Sequence, residues 1–147
     1  METHGLFNTV ASHDDLAFFD GHALRPKAVT EFLALGNSDV AKIAGVSKSS
    51  VRFDDAIPRA VLDRLVEIAN ICNLVATAFE GDGTKTALWF RTKNPLLGDI
   101  APRDMVRLGR YDNLRRFIVG ALSDRAQSQK VKSSLAAGRT TSATKAQ

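Results

Sequence analysis

The chain has 147 residues, of which 44% are hydrophobic and 24% charged, with a net charge of +4 at pH 7. This composition is too apolar for a disordered protein and is typical of one domain or two small ones sharing a core. The only cysteine is Cys72, which excludes an intramolecular disulfide and a zinc site built on paired cysteines. Because the chain shows neither a long apolar run nor a secretory signal pattern, we expect a cytoplasmic protein.

Residues 1–25 carry scattered apolar positions among histidines and aspartates. We interpret them as an N-terminal arm that docks on the rest of the protein. From Pro26 onward the apolar spacing becomes helical, and it predicts a helix over residues 26–35 that Gly36 ends.

Residues 37–52 predict two short helices around a tight turn. Ala41 is small where the helices would cross, and Gly45 can adopt the left-handed conformation of the turn. Ser47 is placed to cap the second helix. At the exposed start of this helix, where a recognition helix contacts DNA, stand the candidate DNA-binding residues Ser47, Lys48, Ser49, Ser50 and Arg52. Residues 26–57 therefore form a candidate helix-turn-helix.

Another interpretation of this hairpin stays open, because helical hairpins without a DNA-binding role use similar residues. Asp54 and Asp55 close the segment with negative charge that repels phosphate. We therefore expect DNA contact to be weak or to depend on a dimer, since a single recognition helix makes few contacts.

Pro58 opens a predicted helix over residues 58–79. Its apolar positions alternate in steps of four and three, which favours a central helix or a dimer interface; they are Val61, Leu65, Ile68, Cys72, Val75 and Phe79.

Three shorter helices are predicted after the turn at residues 80–83. The first covers residues 84–92 with Thr84 as its cap, the second begins at Pro102 and ends at Gly109, and the third covers residues 112–123 with Asp112 as its cap. We find no alternating strand pattern, so the predicted fold class is all-α. Residues 124–147 carry five Lys/Arg against one Asp/Glu and almost no large apolar residue, which predicts a disordered basic tail.

The remaining candidate chemistry is weak. His4, His13 and His22 recur every nine residues, a spacing that fits neither helix nor strand and has no completing ligand set, so we expect no metal. No aspartate pair stands beside a nucleophile-like residue, and we expect neither catalysis nor a cofactor.

The most specific signal is the order of motifs over residues 87–109. A Trp is followed by Asn-Pro-Leu-Leu-Gly, then by a Pro that opens a short helix ending in Gly, and then by a final amphipathic helix. This block resembles the toxin-binding domain of Xre/MbcA/ParS antitoxins, in which an Xre-like helix-turn-helix precedes it. The resemblance covers residues 26–123, with residues 58–123 as the central helix and toxin-binding domain.

The resemblance implies a type II antitoxin that binds a NAD-depleting RES-domain toxin, blocks its active-site entrance and represses the shared operon. It assigns toxin binding to Trp89, Asn94, Pro95, Leu97, Gly98, Pro102, Arg103, Arg107 and Arg110. The chain departs from the family pattern at two positions: Asp99 stands where a second glycine is common, and Ala101 stands where a Ser or Thr cap often precedes the proline.

Without the resemblance, the residues of this region do not identify a partner. Its arginines suit an acidic partner surface or phosphates, but they also suit a solvated basic face. We expect the protein to be a homodimer, because a single recognition helix makes too few contacts for operator specificity. The alternative function is a stand-alone helix-turn-helix transcription regulator whose C-terminal half dimerises or senses a ligand. A third hypothesis is an interaction module whose hairpin has lost DNA contact.

Overall fold

The computed structural model describes residues 14–52 and 57–146. Their fold is mostly helical, with one two-stranded hairpin, and the predicted all-α class is confirmed. The hairpin consists of β1 (Phe19–Asp20) and β2 (Ala23–Leu24). The helices are α1 (Pro26–Leu33), α2 (Asn37–Ala44), α3 (Arg59–Ala78), α4 (Gly83–Arg91), α5 (Pro102–Arg107) and α6 (Tyr111–Ala146).

The hairpin was not predicted, because strands of two residues are too short to show an alternating pattern. β1 and β2 pair antiparallel, with Phe19 opposite Leu24. The segment before it is held by Asp14, whose two carboxylate oxygens accept hydrogen bonds from the backbone N–H groups of Phe18 (2.8 Å) and Phe19 (2.9 Å).

This N-terminal segment docks on α3 through Asn73. Asn73 is buried, with 1% of the residue exposed. Its Nδ2 donates to Asp14 Oδ1 over 3.0 Å, and its Oδ1 accepts from the backbone N–H of Leu16 over 3.1 Å. The described part of the arm therefore docks as predicted, while residues 1–13 of that prediction lie outside the described residues.

The predicted central helix is confirmed as α3. The apolar stripe is buried except for Phe79, which is half-buried at the helix end. An edge-to-face chain of aromatic rings continues the core from the N-terminal segment to α4, with centroid distances of 5.5 Å for Phe18–Phe32 and 6.0 Å for Phe32–Phe90. Such edge-to-face pairs add to the stability gained from burial.

Helix α4 begins one residue earlier than predicted, and its cap differs. Asp82 Oδ1 accepts from the backbone N–H of Lys85 over 3.0 Å, so Asp82 is the cap and the prediction of Thr84 is wrong. A carboxylate at this position also interacts favourably with the positive end of the helix dipole. Thr84 lies in the first turn.

The last helix does not end at residue 123, where the sequence predicted its end. α6 begins at Tyr111, with Asp112 in its first turn rather than as its cap, and continues to Ala146. Residues 124–146, predicted as a disordered tail, are therefore helical. The segment contains no proline and is rich in Ala, Gln, Lys and Arg, which have high helix propensity. The chain divides into two compact units, one up to Arg115 and one from Arg116.

Candidate functional sites

The first half of the predicted helix-turn-helix is present. Val40 and Ala41 of α2 are buried, and Gly45 ends the helix with φ +71°. The backbone N–H of Val46 donates to the Ala41 carbonyl over 3.0 Å, which closes the turn. A left-handed residue is required at this place, and glycine adopts that conformation without a steric penalty.

The predicted second α-helix is wrong for the residues that the structure describes. Only a single 3₁₀ turn forms, over Lys48–Ser50, and Val51 then becomes extended. Ser47 makes no capping hydrogen bond to the backbone; its Oγ lies 2.8 Å from Ser50 Oγ and 3.2 Å from Ser49 Oγ. Serine side chains compete with the helix for hydrogen bonds, and a β-branched residue follows them, which disfavours helix propagation here.

The predicted DNA-binding residues still share one stretch of surface. Four of them are exposed, and Ser50 is half-buried; the exposed four are Ser47, Lys48, Ser49 and Arg52. The buried side chain of Val51 anchors the segment. The structure therefore presents three hydroxyls and two cations from a turn and not from a helix. Asp54 and Asp55 lie outside the described residues.

The Asn-Pro-Leu-Leu-Gly motif forms a closed loop, here called the Asn94–Ile100 loop. The backbone N–H of Asn94 donates to the Ile100 carbonyl over 3.2 Å, and the N–H of Asp99 donates to the Asn94 carbonyl over 3.0 Å. Inside the loop, Asn94 Oδ1 accepts from the N–H of Leu96 over 2.9 Å. Asn94 thus braces both ends of the loop, a role in which its side chain and its main chain both take part.

The loop points a leucine outward that was not among the predicted site residues. Among the large apolar side chains of residues that the structure describes, Leu96 is the most exposed, at 79%. Leu97, which was predicted to contact the partner, is half-buried, while Pro95 and Gly98 are exposed. The asparagine–proline start of a 3₁₀ turn was a usable signal, because the residue after the proline then lies at the apex of the turn.

The two departures from the family pattern occupy positions with defined backbone geometry. Asp99 has φ +63°, next to Gly98 at φ +77°. Only glycine adopts this region freely, although aspartate tolerates it better than most residues. Ala101 occupies the cap position of α5 and makes no side-chain hydrogen bond.

The arginines of α5 are partly neutralised within the protein. Asp104 Oδ1 lies 3.3 Å from Arg107 Nη1 and 3.5 Å from Arg103 Nη2. The Nε atom of Arg103 is buried and has no hydrogen-bond partner. Arg110, which follows α5, is exposed and forms no ion pair with any residue of the described parts of the chain. Pro102, the first residue of α5, is buried.

Arg107 also joins α5 to α2, the first helix of the predicted helix-turn-helix. Its Nε lies 3.4 Å from Oδ1 of Asp39 in the first turn of α2. The other oxygen of Asp39 accepts from the backbone N–H of Gly36 over 2.9 Å. One carboxylate thus stabilises the start of α2 and pairs with α5.

Trp89 packs at the edge of the core. Its side chain is half-buried, and its ring meets Phe90 edge-on at a centroid distance of 5.0 Å. Next to it, Arg91 Nη2 donates to the Phe32 carbonyl over 2.9 Å and ties α4 to α1.

A groove of about 690 Å³ lies between the N-terminal segment, α1 and α4. Its apolar lining includes Leu16, Phe32 and Leu88, and the last of these is 65% exposed. Asp15 and Arg91 provide one negative and one positive side chain at the same groove. The groove is shallow and open to solvent over most of its surface.

Two buried groups titrate abnormally. Burial raises the pKa of the Cys72 thiol far above its ordinary range. Burial, followed by the negative charge of Glu67, likewise raises the pKa of Tyr111, whose hydroxyl donates to the Glu67 carbonyl over 3.0 Å. Cys72 is consequently a protonated thiol at neutral pH, which makes it a poor nucleophile.

Within residues 14–52 and 57–146, no three histidine, cysteine, aspartate or glutamate side chains gather as a metal site would require. None of the described helices is long and apolar enough to cross a membrane. In comparisons with known proteins, the chain matches no family model, no curated protein and no solved structure.

Proposed function

We propose that the protein is a cytoplasmic type II antitoxin that binds and neutralises a RES-domain toxin and represses its own operon by binding DNA. The observation that carries the proposal is the Asn94–Ile100 loop, a braced turn that presents an apolar side chain to solvent. The loop belongs to the motif block that resembles the toxin-binding domain of Xre/MbcA/ParS antitoxins.

The loop has the properties of a binding element. Its hydrogen bonds hold it in one conformation, so little conformational entropy is lost when a partner binds. Leu96 exposes 79% of its surface at the apex, and an isolated apolar side chain on a rigid turn can fill a partner pocket as an energetic hot spot. In the proposal, Leu96 is the apolar anchor of the toxin interface.

The charges around the loop favour a partner with a negative surface. Arg103 and Arg107 share Asp104, whereas Arg110 is exposed and forms no ion pair with a described residue, so Arg110 is the arginine of this group that is available to a partner. A rim charge of this kind accelerates association and sets orientation more than it adds affinity. In the proposal, Leu96 supplies most of the affinity for the toxin, and Arg110 orients the toxin as it binds.

Repression is the second part of the proposal. The turn at Ser47–Ser50 carries hydroxyls and Lys48, and these can contact phosphates and base edges. A 3₁₀ turn fills less of the major groove than a helix does, so operator binding requires a homodimer or further contacts.

The groove beside Leu88 favours the alternative function, a stand-alone transcription regulator that senses a ligand. Its lining combines apolar side chains with Asp15 and Arg91, a mixture that small-molecule sites use. The two functions differ in a measurable way: a ligand-sensing regulator binds its operator tightly without any protein partner, whereas the proposed antitoxin relieves toxicity even when its operator is absent.

Co-expression with the reading frame next to its own gene tests the proposal. We expect the neighbour alone to arrest growth and to deplete NAD, and the wild-type chain expressed from an unrelated promoter to restore both. Leu96→Asp should restore growth poorly, because a buried interface would then hold an unpaired charge.

Val131→Asp is the matched control, since Val131 is 54% exposed and lies on α6, far along the chain from the loop. It should restore growth as the wild type does. A neighbour that does not arrest growth, or a Leu96→Asp variant that protects fully, would contradict the proposal.

A further inference from the structure

Helix α6 beyond Arg116 carries a charge distribution that the proposed function does not use. After Asp124 the chain contains no acidic residue, while it contains five Lys/Arg. The side chains of Arg125, Lys130 and Lys132 are exposed. A single-sign stretch of this kind creates a positive potential along the helix.

The basic residues lie on two flanks of the helix. At 3.6 residues per turn, Arg125 and Lys132 are about 20° apart around the axis, whereas Lys130 is about 140° from Arg125. Between Arg125 and Lys130 in the sequence lie three exposed side chains that can form hydrogen bonds, namely Gln127, Ser128 and Gln129. Both flanks of the helix can therefore meet negative charge at once.

From this arrangement we infer that α6 binds the phosphate backbone of duplex DNA without reading its sequence. The major groove of DNA is about 12 Å wide and admits one α-helix, so that its two phosphate walls face the two flanks of that helix. Residues 116–146 span about 46 Å as a helix, which is more than long enough to pass through this groove.

Other polyanionic partners fit less well. A membrane-surface helix needs a broad apolar face, and the exposed large apolar side chains of this helix after Asp124 are Val131 and Leu135. Duplex RNA has a deep and narrow major groove that does not admit a helix. The inference holds whether or not the partner of the Asn94–Ile100 loop is a toxin, because it concerns a separate unit of the chain.

The test measures binding of the full-length protein to a fluorescent DNA duplex of scrambled sequence, by anisotropy, over a range of salt concentrations. Each phosphate contact contributes about 0.9 to the slope of log affinity against log salt. The variant Arg125→Gln/Lys130→Gln/Lys132→Gln should lose about 2.7 of that slope, and its affinity at low salt should fall at least about tenfold. Glutamine is a good helix former, so the helix should persist.

A matched variant removes three exposed lysines from the other unit: Lys27→Gln/Lys85→Gln/Lys93→Gln. It should keep the wild-type slope. Lys130→Arg/Lys132→Arg, which keeps the charge, should keep the affinity. The inference is overturned if the α6 variant keeps the wild-type slope, if both triple variants lose the same slope, or if the wild type prefers duplex RNA, polyglutamate or phosphatidylserine vesicles to DNA.

Discussion

The guanidinium Nε of Arg107 lies 3.4 Å from the Asp39 carboxylate. This ion pair joins α5, the helix that follows the Asn94–Ile100 loop, to α2, the first helix of the predicted helix-turn-helix. The two side chains are 42% and 24% exposed. The proposed partner-binding region and the proposed DNA-contacting helix-turn-helix therefore share an ion pair. A partner that binds Arg107 in place of Asp39 would remove this ion pair from the first turn of α2.

The first prediction concerns this pair. Asp39→Ala should lower the free energy of unfolding by about 1 kcal/mol, because it removes both the acceptor for the Gly36 N–H and the ion pair. Asp39→Asn keeps an acceptor and should cost less. In a double-mutant cycle with Arg107→Ala, urea denaturation should give a coupling of about 0.5 kcal/mol. Additive effects of the two substitutions would contradict a direct interaction.

The second prediction concerns Asp99 and its φ of +63°. Asp99→Gly should leave the protein at least about 1 kcal/mol more stable than Asp99→Val, because a β-branched residue is strained in this conformation. The matched position is Asp63 in α3, which is exposed; there the order should reverse, since valine is a better helix former than glycine. Thermal unfolding of the four variants decides, and the same order at both positions would contradict the prediction.

The third prediction compares two asparagines on α3. Asn73→Ala should lower the free energy of unfolding by about 2 kcal/mol, because it leaves the Leu16 N–H without its acceptor and detaches Asp14. The Oδ1 of Asn70 is buried without a hydrogen-bond partner. Asn70→Ala should therefore be neutral or slightly stabilising, since alanine also has the higher helix propensity. Equal losses in urea denaturation would show that the docking of the N-terminal segment does not depend on Asn73.

The fourth prediction is a loss of stability at alkaline pH. The folded-state pKa values of Cys72 and Tyr111 are raised, so their contribution to stability is complete below the unfolded-state pKa values and is lost as the pH rises above them. The window opens near pH 9 for Cys72, whose ordinary pKa is 9.0, and near pH 10 for Tyr111. Each group adds a slope of at most about 1.4 kcal/mol per pH unit.

The free energy of unfolding, measured from neutral pH into this alkaline window, should fall as the pH rises. Cys72→Ala and Tyr111→Phe should each flatten the decline, although both lower the stability at neutral pH. A thiol reagent at mildly alkaline pH should modify native Cys72 far more slowly than the urea-unfolded chain. A decline that is equally steep in both variants would assign it to other groups.

Local sequence determined where several of the helices begin, although it did not predict that residues 124–146 are helical or that only a 3₁₀ turn follows Ser47. Pro26, Pro58 and Pro102 stand at or just before the helices they were predicted to open, and the apolar stripe of α3 was readable because helical periodicity is a property of neighbouring residues. The Asn94–Pro95 start of the loop was likewise a local turn signal.

Only the tertiary structure decided which of these residues could act. That Leu96 and not Leu97 is presented to solvent follows from the bracing of the loop by Asn94. Arg107 is paired because α5 packs on α2, and the sequence does not specify this contact between distant segments. Exposure and charge neutralisation depend on what the rest of the chain brings alongside a residue, whereas helix formation depends mainly on its neighbours in sequence.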